Sequence, residues 1–316
     1  MTWRVLISAP YFLPVLPEYR ARLEAAGLEL VTVPVRERLS EAELLNLLTD
    51  IDGAICGDDQ FTARVLAAAP RLKVISKWGT GIDSIDAEAA ARFGIQVCNT
   101  PNAFTDCVAD SVLGYVLCFA RRLPWMDQDM RRGLWSKPDL SSLRESTLGV
   151  IGVGHIGRAV VRRALAFGMT VIGNDIKAVP AEFLDETRLA MLPLRSLLKA
   201  ADFISLHCDL NPTSFHLISR DELTLMKPSA VLINTSRGPV VDEAALIEAL
   251  REKRIGGAAL DVFEIEPLPD DSPLRALEGC LLAPHNSNSG MAARRRVHES
   301  TITNLVRALQ SAPVRA

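Results

Sequence analysis

The 316-residue chain is poor in aromatic side chains, 5% in all, and it holds only five histidines. Its six cysteines, at 56, 98, 107, 118, 208 and 280, form no CxxC pair and no Cys/His spacing of a zinc site. Most stand inside apolar runs, where cysteine behaves as a small buried hydrophobe. No disulfide and no metal centre is therefore expected, and the chain reads as a reduced, cytoplasmic protein. Charge of one sign is not in excess either. A net charge of −3 and a pI near 6.0 provide no general field for nucleic acid or membrane. The one basic triplet, Arg294–Arg296, lies in a polar helical pattern and reads as a solvated face. No apolar run spans a bilayer, since the longest, Cys107 to Ala120, is short and carries Asp110. The opening MTWRVLISAP reads as a first strand and not as a leader.

What the chain does have is apolar content, 48%, and a length that favours two domains. Short β-branched runs at 4–8, 28–33, 53–56, 72–76 and 95–98 alternate with helical patterns. One of those helices, SEAELLNLL, opens on Ser40 with Glu43 placed to complete a capping box. A second series follows at 147–152, 169–174, 202–207, 230–235, 256–262 and 280–283, nearly all apolar. Strand–helix alternation predicts parallel sheets, and continuous apolarity predicts strands covered on both faces. The fold class expected is α/β with two doubly wound parallel-sheet domains. Between them, 101–146 reads as a long helix, about 103–121, crossing from one domain to the other, then a looser excursion. The stretch after 285 is helical with no strand of its own and is expected to pack back on the first domain.

The most informative stretch is LGVIGVGHIGRAVVRRALAFGMTVIGND, residues 148–175. A strand runs into Gly152-x-Gly154-x-x-Gly157 and a helix pattern starts at once. Gly152 permits the tight turn, Gly154 lets backbone approach a pyrophosphate, and Gly157 lets helix and strand pack closely. With His155 and Ile156 they open the helix, whose free N–H groups suit phosphate. The next strand ends in Asp175, where a carboxylate can accept from ribose hydroxyls. The acid favours NAD over NADP, although Lys177 nearby does not exclude the latter.

Three later strands each end on a reactive side chain: Arg237 in SRGP, Glu266 in EIEP and His285 in APHN. Taken singly, each can be a surface cap or salt bridge. Taken together, past strand ends in a parallel sheet, they form a workable set. Moving a hydride from an alcohol carbon requires a base near neutrality, which His285 can be. Glu266 can stabilise the imidazolium, and Arg237 can fork onto a substrate carboxylate.

Over nearly its whole length the sequence resembles the D-isomer-specific 2-hydroxyacid dehydrogenases, which include phosphoglycerate dehydrogenase and glyoxylate/hydroxypyruvate reductase. The landmarks are KWGTGIDSID (77–86), NTPNAFTDCVAD (99–110), TLGVIGVGHIG (147–157), MKPSAVLINTSRGPVVDEAAL (226–246), ALDVFEIEP (259–267) and APH (283–285). The resemblance implies a Rossmann cofactor domain, 100–284, inserted in a flavodoxin-like substrate domain, 1–99 plus 285–316, with the active site in the cleft between them. It implies that Arg237, Glu266 and His285 are the catalytic trio. Trp78, Gly79, Thr80 and Gly81 would bind substrate through backbone N–H groups, Thr80 lying toward the nicotinamide. Cys208, Thr235 and Asp261 would line the cofactor cleft. It further implies a small 2-hydroxy or 2-oxo acid as substrate and a homodimer formed through the 101–146 excursion.

Departures from the family pattern keep some readings open. Asn286, Ser287 and Asn288 follow the histidine where apolar and glycine residues are usual, to reach ligand or to cap a helix. Asn174 replaces a commoner aromatic, and Asp209 stands near the expected cleft mouth. The loop CGDDQFT, 56–62, is acidic and lacks Arg and Lys, which argues against a phosphorylated substrate, and no regulatory domain is expected after the last helix. A cofactor-sensing interaction protein of the same fold is the alternative from another class.

Overall fold

The computed structural model describes residues 2–311. Residue 1 and positions 312–316, both within the expected first domain, lie outside the described residues. All twelve strands described are parallel and form two sheets. The first contains β1 (Trp3–Ile7), β2 (Leu28–Thr32), β3 (Gly53–Cys56), β4 (Val74–Lys77) and β5 (Gln96–Cys98), ordered β2-β1-β3-β4-β5. That is the flavodoxin-like order. The second contains β6 (Thr147–Ile151), β7 (Thr170–Asn174), β8 (Ala190–Met191), β9 (Phe203–Leu206), β10 (Val231–Asn234), β11 (Gly257–Leu260) and β12 (Cys280–Leu282). Its order, β12-β11-β10-β9-β6-β7-β8, is the dinucleotide-binding arrangement with one strand added at the far edge. The two-residue β8 is the one strand that the apolar pattern does not announce.

Two compact units result. One takes the chain up to Ala103 and again from Gly290 onward; the other is Phe104–Ser289. The changeovers therefore fall a few residues beyond 99 and 284, and His285 groups with the second sheet. The cause is local, because the backbone of 285–287 is bonded to Asp261 beside β11. The helix expected to cross between domains is Thr105–Ala120 and lies wholly in the second unit. It packs on the helix His155–Ala166, where Arg163 bridges Asp106 and Asp110 at 2.9 and 2.7 Å. The excursion behind it includes a further helix, Leu123–Arg131.

In the first unit, the helix Met291–Ser311 packs on β3, β4 and β5. A Cβ on Gly53 would come within 3.0 Å of Leu305, so the helix is seated directly on β3. The helix Glu41–Leu47 starts at the expected Ser40/Glu43 capping box.

Both units use the same device at the amino-terminal edge of the sheet. Asp52, just before β3, accepts the Arg4 N–H at 2.9 Å and donates its own N–H to Arg4 O at 2.8 Å. Asp202, just before β9, does the same with Thr147, accepting and donating at 2.8 Å. A cation closes each: Arg71 forks onto Asp52 at 3.0 and 2.8 Å, and Lys227 reaches Asp202 at 2.8 Å. The carboxylate thus joins the first strand of each sheet to its second pairing neighbour, β3 in one and β9 in the other. Because the Asp52 side chain is only 4% exposed, Asp52→Ala leaves the Arg4 N–H buried and unpaired. Urea unfolding is expected to show a loss of about 2 kcal/mol, with Asp52→Asn, which keeps an acceptor, losing less. Equal losses in the two variants would mean that the backbone bond does not carry the effect.

Candidate active site

Strand register places one row of residues across six neighbouring strands: Leu282, Leu260, Asn234, Leu206, Ile151 and Asn174. Every candidate residue of the second unit lies a few positions past that row. His285 follows β12, Asp261 and Glu266 follow β11, and Thr235 and Arg237 follow β10. Cys208 follows β9, the glycine turn follows β6, and Asp175 follows β7. Open parallel sheets bind ligands outside this carboxyl edge.

The glycine turn is sterically committed. Gly152 has φ +88°, and a Cβ there would lie 2.7 Å from the His207 carbonyl carbon and the Cys208 nitrogen. A Cβ on Gly157 would lie 2.0 Å from Gly152 O, so helix and strand meet through bare backbone. Gly154 differs, because no atom stands within 4 Å of its Cβ position. It caps the helix His155–Ala166, whose first N–H groups have no intrahelical partner. Backbone donors at a helix start, with open space before them, fit a dinucleotide pyrophosphate.

Asp175 also binds the turn itself. One carboxylate oxygen accepts the Val153 N–H at 2.6 Å and the other the Lys177 N–H at 2.8 Å. An ionised carboxylate has lone pairs beyond these two for ribose hydroxyls. The buried Thr235 Oγ1 has no hydrogen-bond partner, a cost that a ligand donor or acceptor would relieve. Burial pushes the Cys208 thiol up to about 11, so it lines β9's end as a neutral group. Burial pushes His207 down to about 3, and its Nε2 lies 2.8 Å from Ser205 Oγ. This uncharged histidine beside the glycine turn is a residue that sequence reasoning passes over.

At the other end of the row, His285 Nδ1 lies 2.9 Å from Glu266 Oε2, and Glu266 Oε1 accepts the Phe263 N–H at 2.9 Å. The two side chains are 21% and 18% exposed, which leaves them reachable by a small ligand yet shielded from screening. His285 has φ +50°, rare outside glycine and Asn/Asp. Asp261, 1% exposed, holds that turn: its carbonyl accepts His285 N–H at 2.8 Å. Its carboxylate accepts the N–H groups of Asn286 and Ser287 at 2.8 and 2.9 Å. Asp261 is expected from the family likeness to line the cofactor cleft, and each of its carboxylate oxygens also holds one N–H of the histidine loop. Asn286 is exposed, and Asn288 has its amide oxygen buried and unpaired.

Arg237 is fixed by two residues that the sequence reading leaves out. Asn234, 1% exposed, donates to Arg237 O at 2.8 Å and accepts from Ser236 N and Oγ at 3.0 and 2.9 Å. A Cβ on Gly238 would fall 1.9 Å from the Phe263 carbonyl, so the arginine turn rests on the segment bonded to Glu266. The signal was present as Asn-x-Ser-Arg-Gly after a strand, an Asx-type turn.

In the first unit, the Trp78–Gly81 turn follows β4, with Gly79 at φ +129°. Trp78 corrects an expectation. Its N–H donates to Cys56 O at 2.9 Å, and its indole, 3% exposed, donates to His298 Nδ1 at 2.9 Å. Its peptide N–H extends the sheet and its ring is core, so neither is offered to substrate. The Thr80 hydroxyl donates to Thr100 O at 3.0 Å, and Thr80 is the exposed residue of the turn, between buried Gly79 and half-buried Gly81.

A family model described as D-isomer specific 2-hydroxyacid dehydrogenase, NAD binding domain, matches residues 113–287. The glyoxylate reductase of Thermofilum pendens is 40% identical over 286 residues, 86% of this chain and 82% of that protein. The structure of D-lactate dehydrogenase from Aquifex aeolicus, complexed with NAD and lactic acid, has a TM-score of 0.85 at 30% identity, covering 97% of this chain and 95% of that one. An acyclic imino acid reductase in complex with NADPH and D-Arg also scores 0.85 at 30% identity, covering 98% of both chains.

The role of Asp261 can be read without an activity assay. In Asp261→Ala, hydrogen exchange at the Asn286 and Ser287 amides is expected to accelerate about tenfold or more, reflecting the loss of charge-assisted bonds. Exchange unchanged from wild type would show that the loop is held by something else.

Proposed function

Because the chain belongs to the D-isomer-specific 2-hydroxyacid dehydrogenase family, we propose that His285, Glu266 and Arg237 carry its chemistry and that NAD is its preferred cofactor. The enzyme is a nicotinamide-dependent oxidoreductase that interconverts a 2-hydroxy acid and its 2-oxo acid. The observation that carries the residue assignment is the 2.9 Å His285–Glu266 bond at the carboxyl edge of the sheet that also presents the glycine turn.

A carboxylate only accepts, so the hydrogen bond assigns the Nδ1 proton of His285 and makes Nε2 the basic nitrogen. In oxidation Nε2 takes the substrate hydroxyl proton, and in reduction it returns that proton to the new alkoxide oxygen. Glu266 stabilises the imidazolium in between, and Phe263 N–H keeps the carboxylate aimed. The Arg237 fork matches a carboxylate and polarises the adjacent carbonyl. By family likeness, the backbone N–H groups of Gly79, Thr80 and Gly81 receive a substrate carboxylate. The bound nicotinamide cofactor supplies the hydride donor or acceptor, held by Gly152, Gly154, His155, Ile156 and Gly157, with Thr235 and Cys208 along its path.

Asp175 supports NAD, because a fixed carboxylate repels a 2′-phosphate at short range. For the substrate, relatives named glyoxylate reductase and hydroxypyruvate reductase support a small unphosphorylated 2-oxo acid. The first unit agrees in its charges. Lys77, buried beside the 56–62 loop, is already paired with Asp58 at 3.0 Å, and that loop adds Asp59. A phosphate dianion would find no uncompensated cation among these groups.

The excursion behind Ala120 exposes Leu123, Met130, Leu134 and Trp135, the last at 77%. Such clustered apolar exposure supports a homodimer through this segment. Six free cysteines support a reducing, cytoplasmic setting, and no helix among the described residues is long and apolar enough to cross a membrane.

Loss of NADH absorbance with glyoxylate, hydroxypyruvate, pyruvate, branched 2-oxo acids and phosphohydroxypyruvate tests the assignment. Turnover is expected with an unphosphorylated acid, and His285→Ala should lower kcat by roughly 10²–10⁴ while NADH still binds. Turnover by no acid, with NADH bound, would favour a cofactor-sensing protein instead. Asp175→Ala is expected to raise the NADPH-to-NADH ratio of kcat/KM about tenfold. An unchanged ratio would remove Asp175 from cofactor choice. Introduction of charge at the apolar excursion, Trp135→Glu with Leu134→Glu, should halve the mass seen by light scattering if the dimer forms there.

A further inference from the structure

One face of the helix Met291–Ser311 holds the approaches to the Trp78–Gly81 turn at three successive points. His298 Nδ1 accepts the Trp78 indole N–H at 2.9 Å. Ser76 Oγ donates to Thr301 O at 2.8 Å, one turn further along. Asn304 Nδ2 donates to Asn99 O at 3.1 Å, and the Asn99 side chain donates to Thr80 O at 2.6 Å. The last contact runs straight into the tip of the turn.

The first contact is the unusual one. His298 is 6% exposed and Trp78 3% exposed, so the bond is made in the core. Trp78 stacks on Tyr11 with ring centres 5.0 Å apart, while Phe12 and Tyr19 lie 5.5 and 6.0 Å from the imidazole. A buried indole N–H needs an acceptor, and an imidazole supplies one only on its unprotonated nitrogen. The surroundings keep it so. Burial lowers the His298 pKa, and Arg294 on the same helix adds to that. Glu299 on that helix and Glu18 on the helix Leu16–Ala25 oppose it, and the Tyr19 ring that faces the imidazole brings no charge at neutral pH.

We propose that His298 is a positioning residue for substrate binding: as a neutral acceptor it pins Trp78, and through Trp78 it fixes the Gly79–Gly81 backbone that receives the substrate carboxylate. The proposal rests on the reading of Gly79–Gly81 as carboxylate site given above. Trp78 is the hinge of the coupling because its N–H is locked to Cys56 O while the next residue, Gly79, has φ +129°. A shift of the indole is therefore absorbed at Gly79. Protonation of His298 fills Nδ1 with hydrogen and removes the acceptor. Its pKa lies below the ordinary value near 6.5, so the bond persists at neutral pH and is lost in acid, as pH falls through the lowered pKa.

Steady-state kinetics with glyoxylate, hydroxypyruvate and NADH test this on the full-length protein. His298→Leu should raise KM for the 2-oxo acid on the order of tenfold, the worth of one buried hydrogen bond, with kcat and the KM for NADH little changed. His298→Asn, whose amide oxygen can take the place of Nδ1, should restore most of that KM and remove its rise at acid pH. Trp78→Phe should raise KM like His298→Leu, and the double variant should be no worse than either single, because one bond is being removed twice. Gly79→Ala, strained at its positive φ, reports on the carboxylate site itself. A raised KM in Gly79→Ala with wild-type KM in His298→Leu would overturn the proposal and leave the site reading intact. Wild-type KM in both would overturn the two together. Additive effects of His298→Leu and Trp78→Phe would overturn the coupling.

Discussion

The register of parallel strands is the constraint on which the second unit's chemistry depends. Backbone hydrogen bonds align Leu282, Leu260, Asn234, Leu206, Ile151 and Asn174 in one line, and all the strands run the same way. Groups distant in sequence are thereby delivered to one edge at one height. With strands about 4.8 Å apart, five spacings separate the His285 end from the Asp175 end by roughly 24 Å. On the proposed assignment the sheet sorts its work by strand position, with proton handling beyond β12 and β11 and adenosine recognition beyond β7. A slip of one residue in any strand would turn its side chains to the opposite face.

Delivery alone would leave loops, and the loops are made rigid by backbone-to-carboxylate and backbone-to-backbone contacts. Asp261 gathers three bonds from 285–287, Asn234 closes the arginine turn, and Gly238 removes the side chain that would hold that turn off Phe263. Few of these groups touch a ligand in the proposed mechanism, yet each sets where a reacting atom stands. A His–Glu pair that solvent still reaches keeps a fixed distance because its supports are more deeply buried than the pair itself.

The parts of this arrangement legible in the sequence were those written locally. Apolar runs marked eleven of the twelve strands, and the two-residue β8 was too short to carry a pattern. The glycine spacing marked the turn after β6, and Ser40 with Glu43 marked a helix start that the structure contains. Residues defined by distant partners were not legible. Family likeness assigns Trp78 to a ligand-binding turn, while its N–H belongs to Cys56 and its indole to His298. Asp261 is placed by family likeness, and its hold on the Asn286 and Ser287 N–H groups shows only in the folded loop. Domain limits shifted for the same reason: bonds across the loop, not composition, decide that His285 stays with β11 and β12.

The first unit is built from the two ends of the chain, and this sets an order of events during synthesis. Strands β1 to β5 leave the ribosome long before the helix Met291–Ser311 that packs on β3, β4 and β5. In that interval the whole of Phe104–Ser289 is made, a unit with all its strands contiguous in sequence. The second unit can therefore close its core while the first still shows the face that Leu305 and Leu309 later cover. Domains generally fold as units, so the unit begun first, with residues 1–103, is completed last. That face of the first sheet stays uncovered while Phe104–Ser289 is made, and emergence of the helix Met291–Ser311 is the event that ends the exposure.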